Sequence, residues 1–293
     1  MILDFYKNFQ NIQYIDDSHL YYDSDTGESL ISVTTLLKKL KPPFESIFWA
    51  CYTSLKRSGF ENIRPMKPYK IMIDGAIYDI DDIKLWDLSF TYKDVLKEWD
   101  IKSKIGSTLG TFLHNSIENK IHRKELSQPI PLFVSSLPAL EAVKYMNTRN
   151  TLGVLANDFY NTMIDRYVPL LSEFVIGDAD LKIAGTFDLI VLDKETNKIE
   201  LWDFKTDKEI KTQSDYGNKI KYFDVDDCEL NKYSLQLGIY KYLIERNTKI
   251  NISKCKIIHF SSKAQTYTVY DTLDYHDKIK EFFEDDNNKS IYL

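Results

Sequence analysis

The sequence predicts a mixed α/β sandwich. Two observations lead there. Helical stretches stand before and after a short run of apolar strand segments, an alternation that indicates helices packed on a sheet. The 293 residues are 43% apolar and 28% charged, with 16 Phe, 20 Tyr and 4 Trp spread over the whole length, which excludes a disordered chain. A length near the upper limit of a single hydrophobic core allows one elaborated domain or two small ones.

Taken in order, residues 1–37 read as a short β arm, in which Tyr21-Tyr22 and Ile31/Val33 flank a turn-rich Asp23–Gly27 hairpin. A short helix at Thr34–Lys41 stops at Pro42-Pro43. Residues 38–70 carry eight Lys/Arg against two Glu, interleaved with Phe44, Phe48, Trp49, Tyr52, Phe60 and Tyr69. Two readings are open: a groove for single-stranded nucleic acid, with Trp49 and Arg57 as contacts, or an amphipathic helix whose rings face a core. Residues 71–100 reverse the sign, with eight Asp/Glu and three Lys, and Asp74-Gly75 marks a hairpin. An apolar stripe predicts a helix over 101–122, and a second helix runs over about 137–166. Strands are predicted at Glu173–Gly177, Ile183–Leu192 and Ile199–Thr206. A helix at Lys232–Glu245, a strand pair at Lys254–Phe260 and Thr266–Tyr270, and a helix at Asp274–Phe283 complete the chain. The expected division is an N-terminal part, 1–100, and a core, 101–293.

A formal net charge of −6 argues against a protein that coats duplex nucleic acid by bulk charge. Cys51, Cys228 and Cys255 are dispersed. They are too few for a four-thiolate iron–sulfur cluster and fit a reducing compartment. The first residues lack the basic and apolar regions of a secretory signal, and no apolar run approaches the ~20 residues of a membrane span. The expectation is a cytoplasmic protein with no membrane partner.

The chemistry concentrates in two apolar strands, Ile183–Val191 and Ile199–Thr206. Asp188 sits within the first, and Asp203 and Lys205 sit near the end of the second. Alternation puts Asp203 and Lys205 on one face, and hairpin pairing can bring Asp188 beside them. Acids within apolar strands need compensation, and two convergent carboxylates call for a cation or a shared proton. A hard dication with oxygen ligands answers that need. With a nearby lysine, the set is suited to hydrolysing phosphodiesters. The pattern acid-x-Lys alone decides nothing, because it occurs six times in the chain. A structural salt bridge is the competing reading of the pair.

Asp188 followed by Asp203-Phe204-Lys205 resembles the signature of the PD-(D/E)xK nuclease superfamily. Gly185-Thr186-Phe187-Asp188 and Trp202-Asp203-Phe204-Lys205-Thr206 are similar to its RecB-like exonuclease branch, in particular to mitochondrial genome maintenance exonucleases and related phage proteins. Further motifs follow the family's order. They are Ser32-Val33-Thr34-Thr35, Gly110-Thr111-Phe112-Leu113-His114, Glu173 and Gln236-Leu237-Gly238-Ile239-Tyr240. The resemblance implies a restriction-endonuclease-like α/β fold: a mixed central sheet flanked by helices, here with an N-terminal arm and an inserted acidic hairpin. It also implies Mg²⁺ or Mn²⁺ held by Asp188, Asp203 and the Phe204 carbonyl, with His114 and Glu173 in support. Lys205 joins Asp188 and Asp203 as catalytic, and Gln236, Tyr240 and Lys208 are expected to position the substrate. The implied activity is a DNA exonuclease acting on single strands or free ends in replication, recombination or repair, of phage or viral type. A flap or junction endonuclease, a non-catalytic DNA-binding module and a nucleotide phosphohydrolase are the alternatives.

Overall fold

The computed structural model describes residues 2–66, 68–124, 128–215 and 217–292. Met1 and Lys67, both used in the sequence reading, lie outside them. In chain order the elements are α1 (Ile2–Phe9), β1 (Ile12–Ile15), β2 (Leu20–Asp23), β3 (Ser29–Ser32), α2 (Val33–Lys39), α3 (Ser46–Arg57), β4 (Ile63–Met66), β5 (Lys70–Ile73), β6 (Ala76–Asp79), α4 (Ile80–Ile83) and α5 (Tyr92–Ile121). There follow α6 (Ala139–Arg166), β7 (Tyr167–Asp178), β8 (Ile183–Asp193), β9 (Lys198–Lys205), β10 (Lys219–Ile220), β11 (Val225–Asp226), α7 (Glu229–Asn247), β12 (Ile252–Ser261), β13 (Thr266–Asp271), α8 (His276–Glu284) and α9 (Lys289–Tyr292). No described helix is long and apolar enough to cross a membrane.

The chain divides into two compact units, Met1–Pro42 with Leu109–Leu293, and Pro43–Thr108. The expected boundary at residue 100 therefore falls inside α5. The N-terminal arm groups with the C-terminal residues because β3 pairs in parallel with β8, through Ile31 with Ile183 and Ser32 with Ala184.

In the larger unit eight strands form a mixed sheet in the order β1-β2-β3-β8-β9-β12-β13, with β7 also on β8. β7 runs antiparallel along β8 from Tyr167 opposite Asp193 to Asp178 opposite Ile183. The other edge of β8 must then be shared. β3 takes residues 183–184, and β9 takes residues 189–193. Among the described residues, none pairs as a strand with 185–188 on that edge. Ser32 ends β3 and caps α2, its hydroxyl accepting from the Thr35 amide at 3.0 Å.

Helices cover the sheet as its alternation dictates. Phe159 of α6 packs edge-on against Phe204 and Phe260, at 5.6 and 5.4 Å between centroids. From α7, Leu235, Leu237 and Ile239 join Leu201 and Ile257 in the main apolar cluster. The expected β arm is corrected at its start, since Ile2–Phe9 is a helix with Phe5 and Phe9 buried one turn apart.

In the smaller unit, Phe48, Cys51 and Leu55 of α3 pack with Ile63, Ile71, Ile73, Ile80 and Ile83, and Trp49, Tyr52 and Phe60 lie against them. The amphipathic-helix reading of these rings is the one observed. The acidic hairpin is a part of this unit's β4-β5-β6 sheet. Its turn is the one the sequence requires, with Asp74 at φ 46° and Gly75 at φ 88°.

Candidate active site

The site forms where β8 and β9 part. Leu189 opposite Trp202 is their last pair, so the next two positions, Asp188 and Asp203, lie at the fork. Beyond it β9 stays paired with β12 alone, Phe204 lying beside Ile258. The Phe204 amide, left without a strand partner on the β8 side, donates instead to Asp188 Oδ2 at 2.5 Å. Both acids are buried, at 7% exposure for Asp188 and 2% for Asp203.

Three further groups converge. Glu173 of β7 falls between the pairs Ser172–Leu189 and Phe174–Phe187 and so stands opposite Asp188. It is held at φ +45°, a costly conformation for a glutamate, of a kind concentrated at functional sites. His114, from α5, has Nδ1 3.1 Å from Glu173 Oε1 and 3.5 Å from Asp188 Oδ1, and Nε2 3.1 Å from the Phe204 carbonyl oxygen. Lys205 Nζ lies 2.6 Å from Asp203 Oδ2, and Gln236 of α7 donates to Asp203 Oδ1 at 3.3 Å.

The electrostatics follow from burial and proximity. Burial pushes the Asp203 carboxyl up to about 6 against the pull of Lys205, and burial likewise raises Asp188, with His114 opposing. Burial alone would lower the His114 imidazole, but the carboxylates of Asp188 and Glu173 outweigh it and hold it at about 9. The same contest holds Lys205 above the ordinary lysine value, burial opposing and Asp203 and Asp188 prevailing.

Among the described residues, the ligand atoms of His114, Glu173 and Asp188 lie within 4.8 Å of one another. Two carboxylates and an imidazole at that spacing are a reasonable donor set for a hard dication. Asp203 Oδ2 agrees with this, being buried without an aligned hydrogen-bond donor despite its ion pair with Lys205. The residues present therefore fit a divalent metal.

Beside this cluster opens a cleft of about 650 Å³, lined by His114, Lys205 and Gln236. Gly110 also lines it. A Cβ there would meet only Thr206 Oγ1, at 3.6 Å, an ordinary contact. Tyr240 is not at the cleft surface. It is buried, hydrogen-bonded to Gln236, and pressed on Gly185, where a Cβ would come within 2.6 Å of its ring. Its expected direct contact with substrate is corrected to a place behind Gln236.

Lys208 is exposed on the loop after β9. Trp49 and Arg57 belong to the smaller unit, the first packed on its apolar cluster and the second paired with Glu98 at 2.9 Å. The sequence reading missed Lys232 and Tyr233. Lys232 stands one turn before Gln236 on the same helix face, a position that reads as ordinary helix surface in the sequence alone.

A family model of the PD-(D/E)XK nuclease superfamily matches residues 88–288. The chain belongs to this superfamily. The mixed sheet flanked by helices is the restriction-endonuclease-like fold of these nucleases. No curated protein matches the chain. A solved structure, SSO0001, is similar at 12% identity over 59% of this chain and 83% of its own, with a TM-score of 0.25, and carries no argument. Nucleases of the superfamily use divalent metals and act on DNA, in keeping with the acidic cluster at the fork.

Proposed function

We propose that this nuclease is a Mg²⁺- or Mn²⁺-dependent DNA exonuclease of the RecB-like branch, acting on single strands or free ends in replication, recombination or repair. The observation that carries the reading is the convergence of Asp188, Glu173, His114, Asp203 and Lys205 beside a cleft that His114 and Lys205 line. The Gly110–His114 and Gln236–Tyr240 motifs, in that order around Asp188, support the branch. Compactness and likeness to the phage members of the branch support a phage or viral source with action in the host cytoplasm, and a composition rich in Lys, Ile, Asn and Tyr points to an AT-rich genome.

Asp188, Glu173 and His114 would hold the cation, together with Asp203 and the Phe204 carbonyl. When bound, it lowers the pKa of a water and offsets charge on the scissile phosphate. Lys205 stays charged through the neutral range and is aimed by Asp203, so it can orient the attacking water or hydrogen-bond the phosphate oxygens as their charge grows. Gln236 fixes the Asp203 carboxylate, and Tyr240 backs Gln236. All these groups address phosphate rather than base edges, so cleavage is indifferent to sequence.

The test compares linear and circular, single- and double-stranded DNA with Mg²⁺, Mn²⁺ or EDTA. Linear single strands are expected to be degraded with either metal and spared in EDTA, with circles intact. Asp203→Ala and Lys205→Ala should each abolish the activity in folded protein. Cutting of circular strands would make the enzyme an endonuclease instead. Metal-independent or absent cleavage by the unaltered chain would overturn the assignment and leave a binding module.

A further inference from the structure

Beyond the cluster at the fork, the same cleft is walled by Lys38, Lys41 and Lys232. Lys38 lies in α2, Lys41 two residues beyond its end and Lys232 in α7, and α2 and α7 pack on each other. Their circumstances differ. Lys41 is paired with Asp227. Lys38 is exposed and Lys232 half-buried, and neither has a carboxylate within ion-pair distance among the described residues.

Lys232 is the unusual one. Its Nζ lies 4.4 Å from the centroid of the Tyr233 ring, and Lys205 Nζ lies 4.7 Å from the same centroid. Two ammonium groups thus share one aromatic ring, an arrangement that favours each cation through the ring's quadrupole but leaves them to repel each other. Tyr233 is itself fixed, its hydroxyl donating to Asp207 Oδ2 at 2.5 Å. Burial, helped by Lys41 and Lys205 and opposed by the carboxylates of Asp207 and Glu229, holds the Lys232 ammonium below the ordinary lysine value. A desolvated cation without a paired acid is a cost in the free protein. An anion in the cleft would relieve it.

We propose that Lys232, with Lys38 at the cleft mouth, forms a second phosphate subsite, adjacent to the one served by Lys205, so that the enzyme grips a strand through more than one phosphate. This rests on the nuclease reading above and deepens it. The ligand chemistry is a phosphate group of a single strand, either an internal diester or a terminal monoester. Tyr233 is the positioning residue that spaces the two ammonium groups.

The test measures binding of labelled single-stranded oligonucleotide by fluorescence anisotropy across a salt series. Ca²⁺ replaces the catalytic metal, and Lys232→Gln, Lys232→Arg and Lys38→Gln are compared with the unaltered chain. A neutralised phosphate contact lowers the slope of log affinity against log salt by ~0.7 for a single strand, so Lys232→Gln should lose about that much slope and Lys232→Arg should keep it. KM should rise several-fold in Lys232→Gln with a smaller change in kcat. Because the lysine is unpaired, its thermal midpoint should not fall. Oligonucleotides with 5′-phosphate, 3′-phosphate or bare ends identify the source: an equal loss on all three marks an internal diester, and a loss confined to one phosphorylated end marks a terminal group. An unchanged slope in both Lys232→Gln and Lys38→Gln, with the unaltered enzyme binding and cleaving, overturns the subsite alone. Failure of the unaltered chain to cleave DNA with either metal overturns the nuclease reading instead.

Discussion

At the scale of single residues, the two glycines of the site motifs have different physical duties. Gly185 lies under the Tyr240 ring, where a Cβ would sit 2.6 Å from Cε1 and 3.0 Å from the hydroxyl. Tyr240 is buried among packed side chains and has nowhere to retreat. Gly185→Ala is therefore expected to destabilise the fold by about 1–3 kcal/mol, the usual cost of overpacking. It should also lower activity by disturbing Gln236. Gly110 faces only an ordinary contact, and alanine is the better helix former by about 1 kcal/mol, so Gly110→Ala should fold at least as well as the parent. Denaturant melts of the two variants check the contrast, and equal losses would contradict it. The acids Asp188 and Asp203 were legible because each stands within an apolar strand, and Gln236 and Tyr240 only through the family resemblance. Lys232 was not, since a lysine beside a tyrosine on a helix looks like ordinary surface until the fold sets Lys205 over the same ring.

At the scale of elements, the β8–β9 pair is open at one end and pinned at the other. Arg166, the last residue of α6, holds Asp193 at 2.7 Å, and Asp193 also accepts from the Glu195 amide at 2.9 Å in the turn. Hydrogen bonding to Arg166 holds the Asp193 carboxyl well below the usual range. A carboxyl depressed by folding stabilises the protein above its unfolded value of about 3.9, and that contribution is lost as pH falls through the folded value. Arg166→Gln should thus unfold at lower temperature than the parent at pH 7, with the gap narrowing below about pH 4. Thermal melts at falling pH test this, and a gap that does not narrow at all below pH 4 would count against the ion pair. Most elements were readable from periodicity and turn residues, and their errors have causes. The helix expected to begin at 101 starts at Tyr92. There Thr91 and Asp94 cap it reciprocally, the Thr91 hydroxyl donating to Asp94 Oδ2 at 2.7 Å. α1 was missed although Ile2, Phe5 and Phe9 keep a helical spacing, because eight residues form too short a window to outweigh the strand-like residues that follow.

At the scale of the whole molecule, local charge says more than the total. Residues 43–108 carry ten basic and ten acidic side chains, and of the rings in the basic stretch that suggested a nucleic-acid groove, Phe48, Trp49, Tyr52 and Phe60 pack into that unit's own core while Phe44 and Tyr69 stay exposed. No sequence pattern announces such a neutralisation, because Arg57 and Glu98 meet only in three dimensions. In the larger unit the opposite happens, and carboxylates from three strands gather at one fork. Mutual repulsion there should be relieved by a dication, so millimolar Mg²⁺ or Mn²⁺ is expected to raise the thermal midpoint, since a ligand bound to the folded state alone stabilises it. EDTA should reverse the shift and Asp188→Asn should remove most of it. An unaltered midpoint in the parent would show that the cluster holds no metal.

The hydroxyl at position 32 has a wider consequence than one helix cap. Had β3 run on past Ser32, its backbone would have zippered along the bare edge of β8 and sealed the fork behind a ladder of amides. By turning the chain into α2, that one small side chain holds a door open, and the Ser-Val-Thr-Thr run steers the polypeptide away from the fork where the acids gather.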